Sequence, residues 1–293
     1  MDAPSYVLIT PARNEETYIE QTIRSVISQS RLPTKWVIVS DGSVDRTDDT
    51  VRRYEADYGF IRLLRREGAA DRDFRSKVYA FNAGVQCLGD IGYDFIGNLD
   101  GDVSFEPTYY ERVLSYFREF PQLGVAGGLL HERHGARWRA LSYSVSSSVG
   151  GPIQLFRRQC YEDIGGYRPL KRGGIDMIAE VMARMHGWDV RTLSDVKVFH
   201  HRRTGTEKAS VLAASFRRGM MEYVNGYHPL FQAARFISRI MEKPVLLASS
   251  ARTCGYASAL LRRLPYEVPQ DVRQYLRHEQ IRRLLTVSSL KER

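Results

Sequence analysis

Cysteine is scarce in this 293-residue chain. Cys87, Cys160 and Cys254 lie far apart and form no CxxC pair, which excludes a disulfide-stapled scaffold and suits reduced thiols in a cytosolic protein. The opening MDAPSYVLIT lacks the basic start, apolar run and small-residue cleavage site of a secretory signal. A clean apolar run of roughly 20 residues, as a spanning helix needs, is also missing. No G-x-x-x-x-G-K-[ST] occurs, so a P-loop kinase is excluded. We therefore expect a cytoplasmic location, peripheral to the inner face of the cell membrane if attached at all.

Charge of one sign is nearly balanced over most of the chain. The net charge is +9, but from Gly205 onward there are 15 Lys and Arg against 7 Asp and Glu, a net of +8. Residues 205–293 thus read as a basic helical extension with its own partner, separate from a main domain over residues 1–204. This extension has no zinc spacing, RNP-like aromatics or recognition motif, so a basic nucleic-acid-binding protein is only a remote alternative.

Short apolar runs recur at Tyr6–Ile9, Trp36–Val39, Phe60–Leu64, Tyr93–Ile96 and Leu123–Val125. Helical spacing fills the intervals: Ile19, Ile23, Val26 and Ile27 within Thr17–Ser30, then Thr47–Tyr58, Ser76–Leu88 and a segment starting at Pro107. Thr17 and Glu20 read as a capping box. Strand–helix alternation predicts an α/β fold with a mostly parallel, doubly wound sheet flanked by helices. Ligands in such sheets sit beyond the carboxyl ends of the strands. Three polar loops follow strands there: Thr10–Glu16, Ser40–Asp45 and Asn98–Asp102.

The pair Asp100 and Asp102 flanks Gly101 at the end of a central strand. Two carboxylates this close repel one another and cost energy on desolvation. A divalent cation removes that cost, and oxygen ligands suit manganese or magnesium. An acidic turn is the bland alternative.

Thr10–Glu16, Ser40–Asp45, Ser76–Gly84 and Asn98–Asp102, in this order, resemble glycosyltransferase family 2 over roughly residues 5–203. The resemblance implies the nucleotide-diphosphosugar transferase (glycosyltransferase A) fold. It implies that Pro11, Arg13, Asn14 and Glu15 line the base and ribose, with Asp41 and Ser43 in the second nucleoside loop. A carboxylate at Asp41 suits the imide N–H of uracil, so UDP is favoured, though thymine shows the same edge. Lys77 matches the lysine of the family's Gly-Lys-x-x-Ala-x-Asn pattern, with Ser76 in place of glycine, and would meet the pyrophosphate. Asp100 and Asp102 would hold the metal, joined by His200 or His201, with His200 preferred. Gly151 falls in a Gly-Gly segment expected beneath the donor sugar.

Asp176 matches the family's acidic catalytic motif, usually Glu-Asp, with Ile175 replacing the first acid. Asp176 is the candidate base for an inverting transfer; an N-terminal helix cap is its bland reading. Glu180, one turn on, reads as a surface partner of Arg184. The processive signature Gln-x-x-Arg-Trp is missing: Arg137-Trp138 has His134 at the glutamine position and precedes Asp176. A non-processive transfer to a glycan or lipid-linked acceptor is therefore expected, in polysaccharide or lipid-linked glycan assembly. Polyprenyl phosphate is the alternative acceptor. A sugar nucleotidyltransferase is a remote alternative, because Pro11–Glu16 lacks the usual glycines. Within Pro244–Leu264 the apolar stretch is broken by Ser249, Ser250 and Arg252. With Arg239, Lys243, Arg262 and Arg263 at its ends, it reads as a segment lying on an anionic leaflet or packed as an ordinary helix.

Overall fold

The five apolar runs all become strands, and the segments between them helices. The computed structural model describes residues 4–68, 73–135, 137–141, 147–202, 211–238 and 246–291. Lys208, Arg239, Lys243 and Pro244 lie outside the described residues, as does the side chain of His134.

In chain order the elements are β1 (Tyr6–Ala12), α1 (Ile19–Ile27), β2 (Lys35–Asp41), α2 (Thr47–Asp57), β3 (Ile61–Arg66) and α3 (Arg75–Cys87). Next come β4 (Phe95–Asn98), β5 (Val103–Phe105), α4 (Tyr109–Glu119), β6 (Leu123–His134) and β7 (Arg137–Ala140). Then follow β8 (Leu155–Arg157), α5 (Arg158–Asp163), α6 (Ile175–Met185) and β9 (Asp189–His200). The C-terminal helices are α7 (Val211–Val224), α8 (Pro229–Ser238), α9 (Leu247–Leu261) and α10 (Gln270–Lys291).

The strands form one sheet in the order β3-β2-β1-β4-β8-β6-β9-β5, with β7 paired to β6. Strands β3, β2, β1 and β4 are mutually parallel. Strand β8 runs antiparallel to both β4 and β6, β9 is parallel to β6, and β5 is antiparallel to β9. Strands β2, β1 and β4 are buried on both faces, as their near-continuous apolar runs require, whereas the edge strand β3 is partly exposed at Arg62 and Arg65. Tyr6, Leu8, Trp36 and Ile38 pack with Ile19, Ile23 and Val26 of α1 and with Val113, Leu114 and Phe117 of α4. On the other face α3 approaches so closely that a Cβ at Gly84 would lie 2.5 Å from Ile9 Cγ2 and 3.0 Å from Val39 Cγ2.

Helix α1 corrects the capping-box expectation. Its N-cap is Tyr18, with no side-chain cap, and the Tyr18 and Ile19 N–H groups donate to the Glu15 carbonyl at 2.9 Å. Glu20 does not reach back, because its Oε1 accepts from Arg24 and from the Tyr54 hydroxyl, each at 3.0 Å.

Contacts divide the chain into two compact units, Met1–Pro169 with Ile175–Arg203, and Leu170–Gly174 with Thr204–Arg293. In the second unit, Tyr223, Val224, Tyr256 and Ala259 form a small core. Asn225 Nδ2 donates to the Gly173 carbonyl at 3.0 Å, anchoring the 170–174 loop. Among the described residues, no helix is long and apolar enough to cross a membrane.

Candidate active site

Strand order fixes which loops can meet. β1 lies between β2 and β4 with parallel register, Ala12 beside Ser40 and Ile9 beside Asn98. The loop leaving β1 is therefore flanked by the loops leaving β2 and β4.

The first contact is with the β2 loop. Asn14, in the left-handed region at φ 53°, donates its N–H to Ser43 Oγ at 3.2 Å and accepts from Val44 N at 2.9 Å through Oδ1. Such a short side chain tolerates this conformation and bonds locally. Glu15 N donates to Thr47 Oγ1 at 2.7 Å, and Glu16 N to Asp45 Oδ2 at 3.1 Å. Asp45 also takes the Thr47 N–H and hydroxyl, at 3.0 and 2.6 Å. Asp41 is buried, and its Oδ1 accepts from Arg66 at 3.3 Å. Gly42, at φ 72°, leaves no room for a Cβ, which would meet the Gly68 backbone at 2.8 Å. Pro11 is half-buried in β1. Arg13 has one guanidinium nitrogen, Nη1, buried without a hydrogen-bond partner among the described residues.

The second contact is with the acidic triplet. A Cβ at Gly101 would meet Glu15 Cγ at 3.3 Å, so the two loops touch. Arg202, just past β9, pairs with Glu15 and places Nε 3.5 Å from Asp102 Oδ2. Burial pushes the Glu15 carboxyl up to about 7; Arg202 opposes the rise, while Asp102 and Asp100 add to it. Asp102 is buried, and its Oδ1 has no hydrogen-bond partner among the described residues. It stands 3.4 Å from His200 Nε2, whose other ring nitrogen lies 3.4 Å from Glu132 Oε1. Burial disfavours charge on both, yet His200 and Arg202 hold Asp102 below the usual range, and Asp102 and Asp100 hold His200 above it. His201 points elsewhere: its Nε2 meets Ser104 Oγ at 2.7 Å, and only its backbone N–H reaches Asp102, at the carbonyl.

Asp100 turns away from that pair. Its Oδ1 accepts from Lys77 Nζ at 2.6 Å and from Asn98 Nδ2 at 3.2 Å. Asn98 also donates to the Gly151 carbonyl at 2.7 Å. Gly151 lies against Asp176 in the first turn of α6, where an added Cβ would sit 2.7 Å from Oδ2. Lys77, Asp100, Asn98, Gly151 and Asp176 thus form one connected row. Among the described residues no three His, Cys, Asp or Glu side chains stand together as a ready metal cluster. The donor set nevertheless fits a hard cation, with a buried carboxylate oxygen, Asp102 Oδ1, 3.4 Å from the His200 imidazole nitrogen.

Glu180 corrects the sequence expectation of a surface pair. It is 2 % exposed and accepts from Val149 N at 2.7 Å, Ser148 Oγ at 2.8 Å and Gln154 Nε2 at 2.9 Å, with Arg184 only at 4.0 Å. The Tyr167 hydroxyl donates to Gln154 Oε1 at 2.7 Å. This network underlies the 148–154 segment that carries Gly151. Four contributors carry no role in the sequence reading: Arg66, Asn98, Gln154 and Arg202. Arg202 follows the paired histidines and Asn98 lies two residues before the acidic triplet, so both adjoin a motif; Arg66 and Gln154 have no local signal.

The fold and its converging strand-end loops define the class, an α/β domain of the nucleotide-diphosphosugar transferase type. A family model described as glycosyl transferase family 2 matches residues 7–173, and the chain belongs to that family. It is 28% identical over 191 residues to a poly-beta-1,6-N-acetyl-D-glucosamine synthase of Staphylococcus aureus, covering 58% of this chain and 42% of the relative. The chain therefore spans less than half the length of that curated relative. Among solved structures it resembles S. aureus TarS 1-349 in complex with UDP-GlcNAc, at TM-score 0.60 and 17% identity, over 93% of this chain and 84% of that one. It also resembles mannosyltransferase PcManGT from Pyrobaculum calidifontis in complex with GDP-Man and Mn2+, at TM-score 0.58 and 16% identity, over 100% and 82% of the two chains. At these identities the two structures speak for the fold alone.

Proposed function

We propose that this chain transfers a sugar, with inversion, from a nucleotide-diphosphate donor to an acceptor hydroxyl, with UDP the favoured nucleotide. The observation that carries the reading is the β1 loop: it bonds to the β2 loop through Asn14 and packs on the acidic triplet through Glu15. One cleft edge then offers nucleoside contacts on one side and diphosphate contacts on the other.

In this reading Pro11, Arg13, Asn14, Glu15, Asp41 and Ser43 surround the nucleoside, and Lys77 faces the pyrophosphate. Asp100, Asp102 and His200 would hold a divalent cation, manganese or magnesium. Such an ion supplies charge neutralisation at the departing diphosphate. Asp176 accepts the proton of the acceptor hydroxyl as that oxygen bonds to the anomeric carbon. The bond from that carbon to the diphosphate oxygen breaks, and the nucleoside diphosphate leaves with the electron pair. Gly151 lets the chain lie flush against Asp176, leaving space for the sugar. The acceptor is a glycan or a lipid-linked glycan, and transfer is non-processive. The free thiols Cys87, Cys160 and Cys254 suit a reaction on the cytoplasmic side.

Two measurements test the reading. In a panel of sugar nucleotides with Mn2+, one UDP-sugar is expected to raise the melting temperature most; uniform silence across the panel would overturn the proposal. Asp176→Asn is expected to keep donor affinity and lose turnover by about three orders of magnitude or more. Full activity in that variant would instead indicate an acceptor already ionised, such as polyprenyl phosphate.

A further inference from the structure

Helices α8 and α9 turn their charge inward and leave apolar side chains exposed, although α9 also sets Tyr256 and Ala259 in the small core. Soluble helices turn charge outward and apolar side chains inward. Each of these two carries a single charged residue, Arg235 in α8 and Arg252 in α9. Both point inward to Glu222 of α7, which is fully buried. Arg235 donates to Glu222 Oε1 at 2.9 Å, and Arg252 Nε to Oε2 at 2.9 Å.

The outward faces are uncharged. In α8 they are Leu230, Ala233 and Ile237, with Leu230 63% and Ile237 70% exposed; in α9 they are Leu247, Cys254 and Leu261, with Leu261 82% exposed. At about 100° per residue these positions lie about 140–200° round from Arg235 and Arg252. Because both arginines converge on one carboxylate, both apolar stripes face away from it. Helices α7 and α9 meet backbone to backbone, since a Cβ at Gly219 or Gly255 would overlap the carbonyl of Arg252 or Phe216. Packing by small residues, with charge satisfied internally, is how helices settle in lipid.

Basic residues accompany the apolar stripes. Arg262 and Arg263 directly follow Leu261 and are exposed, as are Arg217 and Arg218 on α7. A second copy of the chain would bring like charge to a two-fold contact, whereas anionic headgroups complement it. None of the described helices is long and apolar enough to span a bilayer, so the fit is to its surface.

We infer that the α8–α9 face seats in the headgroup and upper acyl layer of an anionic membrane. This goes beyond the transfer reading and does not depend on it, because vesicle binding needs no sugar donor. The test is co-sedimentation of the full chain with vesicles of phosphatidylcholine alone or mixed with phosphatidylglycerol. Binding to the mixed vesicles only is expected. The Leu230→Asp/Leu261→Asp variant should partition about tenfold less or worse, with an unchanged far-UV circular dichroism spectrum. If that variant misfolds, Arg262→Glu/Arg263→Glu replaces it and should lose the preference for phosphatidylglycerol. No wild-type binding, or undiminished binding by a folded variant, would overturn the inference. So would a wild-type dimer that the leucine substitutions convert to monomers without any vesicle binding.

Discussion

Glu180 shows how one buried carboxylate organises the segment under the candidate site. In Glu180→Ala, Val149 N and Ser148 Oγ would lose this acceptor and Gln154 Nε2 would keep only the Asp176 carbonyl, at 3.4 Å. A loss of about 2–4 kcal/mol is expected from unpaired buried groups, read as a lower urea midpoint. Burial pushes the Glu180 carboxyl from 4.5 up to about 8, with the Val149 and Ser148 bonds pulling the other way and Asp176 adding to the rise. A raised folded-state value means the folded chain holds the proton more tightly than the unfolded one. The resulting stability is full below about pH 4.5 and disappears as pH rises through about 8. The urea midpoint should fall across that window in the wild type and fall less in Glu180→Gln; parallel curves would contradict the assignment. The sequence showed Glu180 one turn from Asp176 and beside Arg184, so a helix-surface pair was the natural reading. Its burial is set by the 148–154 segment, far along the chain, and no local pattern carries that. Asp102, just before β5, and His200, ending β9, come together because these two strands pair, Val103 beside His200; the sequence linked the two residues through the family resemblance alone.

Elements were the most legible level. Each apolar run of the N-terminal half is a strand, and those of β1, β2 and β4 are continuous because the sheet buries them on both faces. The stripes Ile19–Ile23–Val26 and Val113–Leu114–Phe117 are buried as their spacing requires. The order of β8, β6 and β9 in the sheet was not legible, since antiparallel insertion of the three-residue β8 leaves no periodic trace. Helix α1 shows the limit at the ends: a capping-box pattern yields to a turn through the Glu15 carbonyl, because Glu20 has better partners in Arg24 and Tyr54. Close approach of α3 to the sheet depends on Gly84. Gly84→Ala would press a methyl into Ile9 and Val39, and a loss of about 1–3 kcal/mol is expected from overpacking. Chemical denaturation checks it; an unchanged or raised midpoint would mean that the helix shifts without cost.

At the scale of the whole molecule, chemistry and charge are apportioned to different units. The first unit gathers the polar strand-end loops and has nearly balanced charge, a net of −1 from 26 Lys and Arg against 27 Asp and Glu; the second carries 17 against 7, a net of +10. The charge break near Gly205 was visible in composition. The inward turn of Arg235 and Arg252 was not, because their partner Glu222 lies on another helix. The central claim is that the β1 loop and the acidic triplet bind a nucleoside diphosphate through a cation held at Asp102. The direct measurement is calorimetric titration of UDP into wild type and Asp102→Ala, with Mn2+ and with EDTA. Binding that needs Mn2+ and vanishes in a folded Asp102→Ala chain is predicted; UDP binding indifferent to both would contradict the account.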